Sequence, residues 1–132
     1  MTLSIRIISL ALFALLSLAN VTTAKEGKYK DVNAKTFQRY LEKENTILID
    51  IRSQEEFEEG HLKNAKLVNF NSDDFSEKME QFPKSKTVCI YCRSGNRSRR
   101  AKEVLKEAGF RHVINLKKGI KGWKKKGKPV VI

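Results

Sequence analysis

The sequence predicts a three-layer α/β domain, a parallel sheet of about five strands with helices on both faces. Three observations predict it. Thr46-Ile47-Leu48-Ile49-Asp50 and Thr87-Val88-Cys89-Ile90-Tyr91 are continuous apolar runs rich in β-branched residues, the composition of strands buried on both faces. Between such runs lie segments whose apolar residues recur at helical spacing, and strands that alternate with helices form parallel sheets. Of the 132 residues, the 108 that follow residue 24 suffice for one modest core and no second domain.

Met1 to Ala24 stands apart from that domain, which spans 25–132. Arg6 gives a basic start, Ile7 to Ala19 is apolar and broken only by serines, and Thr22-Thr23-Ala24 offers small residues. This is the three-part pattern of a secretory signal peptide. The apolar run falls short of the roughly 20 residues that cross a bilayer, and no cysteine flanks the cut to carry a lipid. Cleavage after Ala24, a periplasmic or secreted location and no stable membrane insertion are expected.

Glu26 to Asp31 reads as the first strand, and Asn33 is placed to cap a helix with the apolar stripe Phe37, Tyr40 and Leu41. After Thr46 to Asp50, Ser53 and Glu56 form a capping box that opens a short helix ending at Gly60. Ala65 to Phe70 suits a strand, and Ser72 to Phe82 a helix stopped by Pro83. The strand Thr87 to Tyr91 leads into Cys92-Arg93-Ser94-Gly95-Asn96-Arg97-Ser98 and a helix through Ala101, Val104, Leu105 and Ala108 that closes at Gly109. His112 to Leu116 is the last strand, and Ile120 and Trp123 mark a final amphipathic turn before Gly127 and Pro129.

The chain carries 27 basic and 15 acidic residues, a net charge of +12 that becomes +11 once Arg6 is removed with the leader. Such a surface attracts small anions, anionic lipid or nucleic acid, and an exported protein seldom meets nucleic acid. Small anions or the membrane surface are therefore the better partners, although Lys124, Lys125 and Lys126 read equally well as a solvated face. Cys89 and Cys92 are the only cysteines, too few for a disulfide framework, and a lone pair of thiols in an oxidising compartment calls for a chemical explanation. His61 and His112 have no partner motif, so neither a metal site nor a cofactor is expected.

A strand that ends in a cysteine, a small polar loop and a helix start puts the thiol at the carboxyl edge of the sheet, where open α/β folds bind ligands. Amides between Arg93 and Ser98 can turn inward as an anion-binding nest, backed by the positive end of the following helix. Gly95 permits the curvature. Arg93 and Arg97 add full charges, and together these features are expected to keep Cys92 as a thiolate, the reactive form.

Cys92 to Ser98 resembles the active-site loop of rhodanese-homology domains, particularly the single-domain bacterial forms with a CRSGxRS pattern. Asp50-Ile51-Arg52 is similar to the family's D-V-R after its second strand, Gly60 to Ala65 resembles G-H-I-P-G-A, and Gly119 to Pro129 resembles the closing G-x-x-x-W segment. Lys63 and Asn64 stand where Pro-Gly is frequent, and Lys118 where a Gly-Gly pair is common; these departures touch a turn and a cap. The resemblance implies a thiosulfate sulfurtransferase with Cys92 as the catalytic nucleophile. Sulfane sulfur would pass from a small anionic donor to a thiol or cyanide acceptor through a Cys92 persulfide. Arg93, Ser94, Gly95, Asn96, Arg97 and Ser98 would bind substrate, the amides holding the persulfide and the guanidiniums orienting the donor. A monomer is expected.

Other readings of the same residues compete. A phosphatase or arsenate reductase also uses a cysteine loop ending in arginine, but its loop is one residue longer than the four residues between Cys92 and Arg97. Cys89-Ile90-Tyr91-Cys92 spells C-x-x-C, yet Cys89 falls within a strand, so the two thiols point to opposite faces or stand too far apart to join. A non-catalytic sulfur-binding module of the same fold is the third. Asp50 and Arg52 read as a structural ion pair, with pocket lining as the alternative, and Trp123 reads as packing beneath the last helix.

Overall fold

The structure is a computed structural model and describes residues 25–132; the segment read as a signal peptide lies outside the described residues. The elements in chain order are β1 Lys28–Val32, α1 Ala34–Leu41, β2 Thr46–Asp50, α2 Gln54–Glu58, β3 Lys66–Leu67, α3 Phe75–Met79, β4 Thr87–Tyr91, α4 Asn96–Glu107, β5 His112–Leu116 and α5 Gly119–Lys125. All five strands pair in parallel in the order β1-β5-β4-β2-β3. The expected fold class is the one observed.

Strand alternation divides the core into two layers. Val88, Ile90 and Cys92 face one side with Ile49 and Val113, where Phe75 and Met79 of α3 and Ala101 and Leu105 of α4 cover them. Cys89 and Tyr91 face the other with Leu48, Ile114 and Leu116, under Phe37 of α1 and Ile120 and Trp123 of α5. Removing the side chain of a fully buried residue such as Leu105 from so close-packed a layer costs about 2–5 kcal/mol. The chain end is tied down as well: His61 and Val131 exchange two backbone hydrogen bonds of 2.8 Å.

The connection after β2 runs outward to β3, whereas the one after β4 runs the opposite way to β5. Between those divergent connections the sheet has its topological switch point, the crevice where ligands bind in open α/β folds. The loop that begins at Cys92 stands at that point.

Several boundaries depart from the sequence reading. The first strand starts at Lys28 rather than Glu26 and runs to Val32. The third strand is two residues long, because β3 is an edge strand; Val68 and Phe70 still donate to Asp50 and Ile51 carbonyls, but the ladder ends. The Ser72–Phe82 helix shrinks to Phe75–Met79, since the Ser72 hydroxyl donates to Asp74 at 2.6 Å and holds a turn there in place of a first helical turn. The final amphipathic turn is a seven-residue helix.

Candidate active site

Cys92 leaves the end of β4 with 1% of its surface exposed. Its Sγ accepts hydrogen bonds from the Gly95 amide at 3.1 Å, the Ser98 amide at 3.4 Å and the Ser98 hydroxyl at 3.3 Å. Gly95 is the N-cap of α4 and has no side chain to satisfy the open donors of the first turn. The sulfur supplies that missing acceptor, bonding the amide that an N-cap side chain ordinarily takes. Burial pushes the Cys92 pKa up, but the Ser98 hydroxyl and the amides of Ser98, Gly95 and Ser94 outweigh it and leave the thiol below its ordinary range. The positive end of the twelve-residue α4 acts in the same direction.

Two glycines make this geometry possible. Gly95 has φ +98°, and a Cβ on it would stand 2.0 Å from the Lys117 carbonyl oxygen. Gly119 has φ +60°, and its Cβ would lie 2.3 Å from the Arg93 carbonyl oxygen. The close approach lets the Ile120 and Lys121 amides donate to the carbonyls of Cys92 and Arg93 at 2.9 and 3.0 Å. From below, Asn115 of β5 donates one amide hydrogen to Asp31 at 2.9 Å and another to the Gly95 carbonyl at 3.4 Å. Lys102 of α4 pairs with Asp31 at 3.0 Å, so the loop is braced by a largely buried polar network.

The charged residues divide differently from the sequence reading. Arg97 forms a bidentate pair with Glu56 of α2 at 2.7 and 2.8 Å. That contact holds the Glu56 carboxyl down at about 2. The foremost contacts that lower the Cys92 pKa are the neutral donors of Ser98, Gly95 and Ser94, while Arg97 is engaged by a carboxylate and Arg93 is exposed. Arg93 instead lines a pocket of about 420 Å³ with Arg52, Glu56 and Lys121. Asp50 and Arg52 are the structural ion pair, 2.7 Å apart and buried, with Arg52 also donating to the Gly60 carbonyl at 2.8 Å. Arg52 also lines that pocket.

Of the loop residues, Ser94 and Asn96 are exposed and Ser98 is buried. The Ser98 side chain does more than shape the cradle, since its hydroxyl bonds the sulfur directly. Glu56 was not legible as a site residue because its capping role accounted for it; it performs both, accepting from the Ser53 amide at 3.2 Å and from Arg97. The brace of Asp31, Lys102 and Asn115 was also missed, and its signal was a buried asparagine inside the apolar run His112 to Leu116. Cys89 is buried on the opposite face, and both thiols are free. His61 stacks on Phe57, with centroids 3.7 Å apart, and its Nδ1 bonds the Phe57 carbonyl at 3.0 Å. Trp123 packs edge-on against Phe37 and donates to the Pro129 carbonyl.

Fold and site together define a class: a parallel α/β domain that holds one cysteine sulfur in a ring of donors at the switch point of its sheet. A family profile, Rhodanese-like domain, matches residues 33–126, and the chain belongs to that family. A protein named sulfurtransferase from Allochromatium vinosum is 36% identical over 94 residues, covering 71% of this chain and 86% of its own length. A thiosulfate sulfurtransferase, GlpE, of Coxiella burnetii is 30% identical over 96 residues, covering 73% of this chain and 88% of its own. Other relatives are longer, and the chain spans 28% of one and 53% of another. The crystal structure of a rhodanese-related protein from Thermoplasma volcanium superposes with a TM-score of 0.68 at 27% identity, over 78% of this chain and 98% of that one.

Proposed function

We propose that the protein is a sulfurtransferase that carries sulfane sulfur from thiosulfate or a similar anionic donor to a thiophilic acceptor as a persulfide on Cys92. The observation that carries this reading is the Cys92 sulfur held by the Gly95 and Ser98 amides and the Ser98 hydroxyl. A thiolate so placed needs no general base, which fits a loop without histidine.

In the first step the Cys92 thiolate attacks the outer sulfur of thiosulfate. The S–S bond of the donor breaks, its electron pair leaves with sulfite, and the transferred sulfur remains as the terminal atom of a Cys92 persulfide anion. In the second, a nucleophile such as cyanide or a thiolate attacks that terminal sulfur, and the electron pair of the cleaved bond returns to Cys92. Preorganised amides match both charged states and need not rearrange between them. Attraction of the donor by Arg93 is supported by its exposed position on the pocket that Arg52 also lines. Export through a cleaved leader, with action in the periplasm or outside the cell, completes the proposal.

The test is thiocyanate formation from thiosulfate and cyanide by the protein of residues 25–132, followed by intact mass. An adduct of one sulfur atom, about 32 Da, that cyanide removes supports the reading. Phosphate release from an aryl phosphate without any sulfur adduct would overturn it in favour of the oxyanion hydrolase.

A further inference from the structure

Six lysines crowd the segment that packs over the Cys92 loop: Lys117, Lys118, Lys121, Lys124, Lys125 and Lys126, all exposed. None of them has a carboxylate within ion-pair distance among the described residues. Four of the six do not simply radiate into solvent. Lys118, Lys121, Lys125 and Lys126 rim a pocket of about 460 Å³ whose mostly apolar wall includes Leu116 and Trp123. The pocket ends at Ser94, two residues from Cys92. It is separate from the pocket beside Arg52 and Arg93, although Lys121 borders both.

Size and charge decide what fits. A dianionic donor needs two cations, whereas this array runs along α5 from Lys118 to Lys126, about 12 Å of helix. An apolar cavity of this volume takes one large side chain or a few small ones, which a free inorganic anion cannot use. A nucleic-acid strand would need an exposed aromatic face on which to stack, and Trp123 is 5% exposed. A lipid surface meets cations on a convex or flat face, whereas these lysines encircle a hollow. A peptide segment with several carboxylates and one apolar side chain satisfies both the rim and the wall.

We propose that this pocket docks an acidic segment of a protein acceptor, placing a cysteine of that segment over the Cys92 loop. This rests on the sulfurtransferase reading and specifies its acceptor. The acceptor thiolate attacks the terminal persulfide sulfur, a new S–S bond forms on the acceptor, and the electron pair of the broken bond returns to Cys92 as thiolate. No external oxidant or reductant takes part. The lysine rim raises the encounter rate and seats the segment, and the chemistry stays with the cradle.

The experiment uses two synthetic peptides, each with one leucine and one cysteine, one otherwise built of glutamate and one of glutamine. Persulfide-loaded protein is expected to discharge to the glutamate peptide about tenfold faster at low salt. That preference is expected to vanish at roughly 0.5 M salt, where screening is short-ranged, and in the double variant Lys125→Glu, Lys126→Glu. Discharge of the same variant to cyanide should stay within about twofold of the parent, which shows that the cradle is intact. Cysteine-free versions of both peptides are titrated against the fluorescence of Trp123, the single tryptophan, and the glutamate peptide alone should saturate. Equal discharge to both peptides, or a preference that survives the charge reversal, overturns the proposal. So does retention of the protein on phosphatidylglycerol vesicles without any peptide preference, which would assign the lysines to a membrane surface. The titration needs no persulfide, so it decides docking even if no sulfur adduct ever forms, an outcome that would sink the sulfurtransferase reading alone.

Discussion

Cys89 and Cys92 lie three residues apart and are almost equally buried, at 0% and 1% exposure. Cys89 sits within β4 between Leu48 and Ile114 on the neighbouring strands, in the layer beneath α1 and α5. Its backbone neighbours are occupied by the ladder, nothing donates to its sulfur among the described residues, and burial pushes the thiol up to about 12. Cys92 stands just past the strand end, where the chain turns into α4 and leaves amides without partners. Burial acts on it in the same direction, but the Ser98 and Gly95 donors overcome it. The difference teaches that enclosure by itself raises a thiol's pKa, and that the open donors of a helix start aimed at the sulfur reverse the effect.

The sharpest test exchanges the two thiols. Cys92→Ala should lower thiocyanate formation at least about a thousandfold and abolish the sulfur adduct. Cys89→Ala should leave the rate within about twofold and cost about 1 kcal/mol of stability in a denaturant titration. Comparable losses from both substitutions would break the contrast.

The next largest effect removes the turn that aims the donors. Gly95→Ala places a methyl group against the Lys117 carbonyl and strains φ +98°. A loss of about a hundredfold in rate is expected, since misplacement by an ångström near the reacting atom has that order of effect. Gly127 also has a positive φ, yet a Cβ there meets nothing within 4 Å. Gly127→Ala should cost about 1 kcal/mol of melting stability and leave the rate unchanged.

Ser98→Ala removes one donor and keeps the rest. The Cys92 pKa should rise toward its ordinary value, so the thiolate fraction at neutral pH falls. A loss of about tenfold at pH 7 is expected, recovered as pH is raised, and the pH dependence of iodoacetamide alkylation reads the shift directly. An unmoved alkylation profile would show that the hydroxyl does not govern ionisation.

The smallest effect concerns Glu56, whose carboxyl Arg97 holds at about 2 against an ordinary 4.5. A depressed carboxylate stabilises the fold above its unfolded-state pKa, and that contribution fades as pH falls from about 4.5 to about 2. Glu56→Gln should therefore lower stability at pH 7 by the same amount that the parent loses over this range, a modest one as suits a partly exposed pair, and flatten this part of the acid-unfolding curve, measured by circular dichroism.

Much of the fold was legible because buried parallel strands must be apolar throughout, and Thr46 to Asp50 and Thr87 to Tyr91 can satisfy that requirement only at the centre of a sheet. The caps were legible as well: Asn33 bonds the Thr36 amide, and Ser53 with Glu56 forms the box. Edges were not. Whether Ala65 to Phe70 pairs over six residues or two depends on a single neighbour, β2, and local composition does not record where two chains diverge. Nor does composition show that the α2 cap residue Glu56 reaches across the switch point to Arg97.

Residue order by itself determined that a cysteine, a glycine able to turn and a helix start follow one another at the end of a central strand, because those properties are local to the backbone. Tertiary structure alone decided which groups complete the site. Glu56 lies 41 residues from Arg97 and Asn115 lies 20 from Gly95. Contacts between side chains so far apart exist only once the sheet has brought its strand ends to one edge, which is why the brace and the arginine's partner appear in the folded chain and not in its spelling.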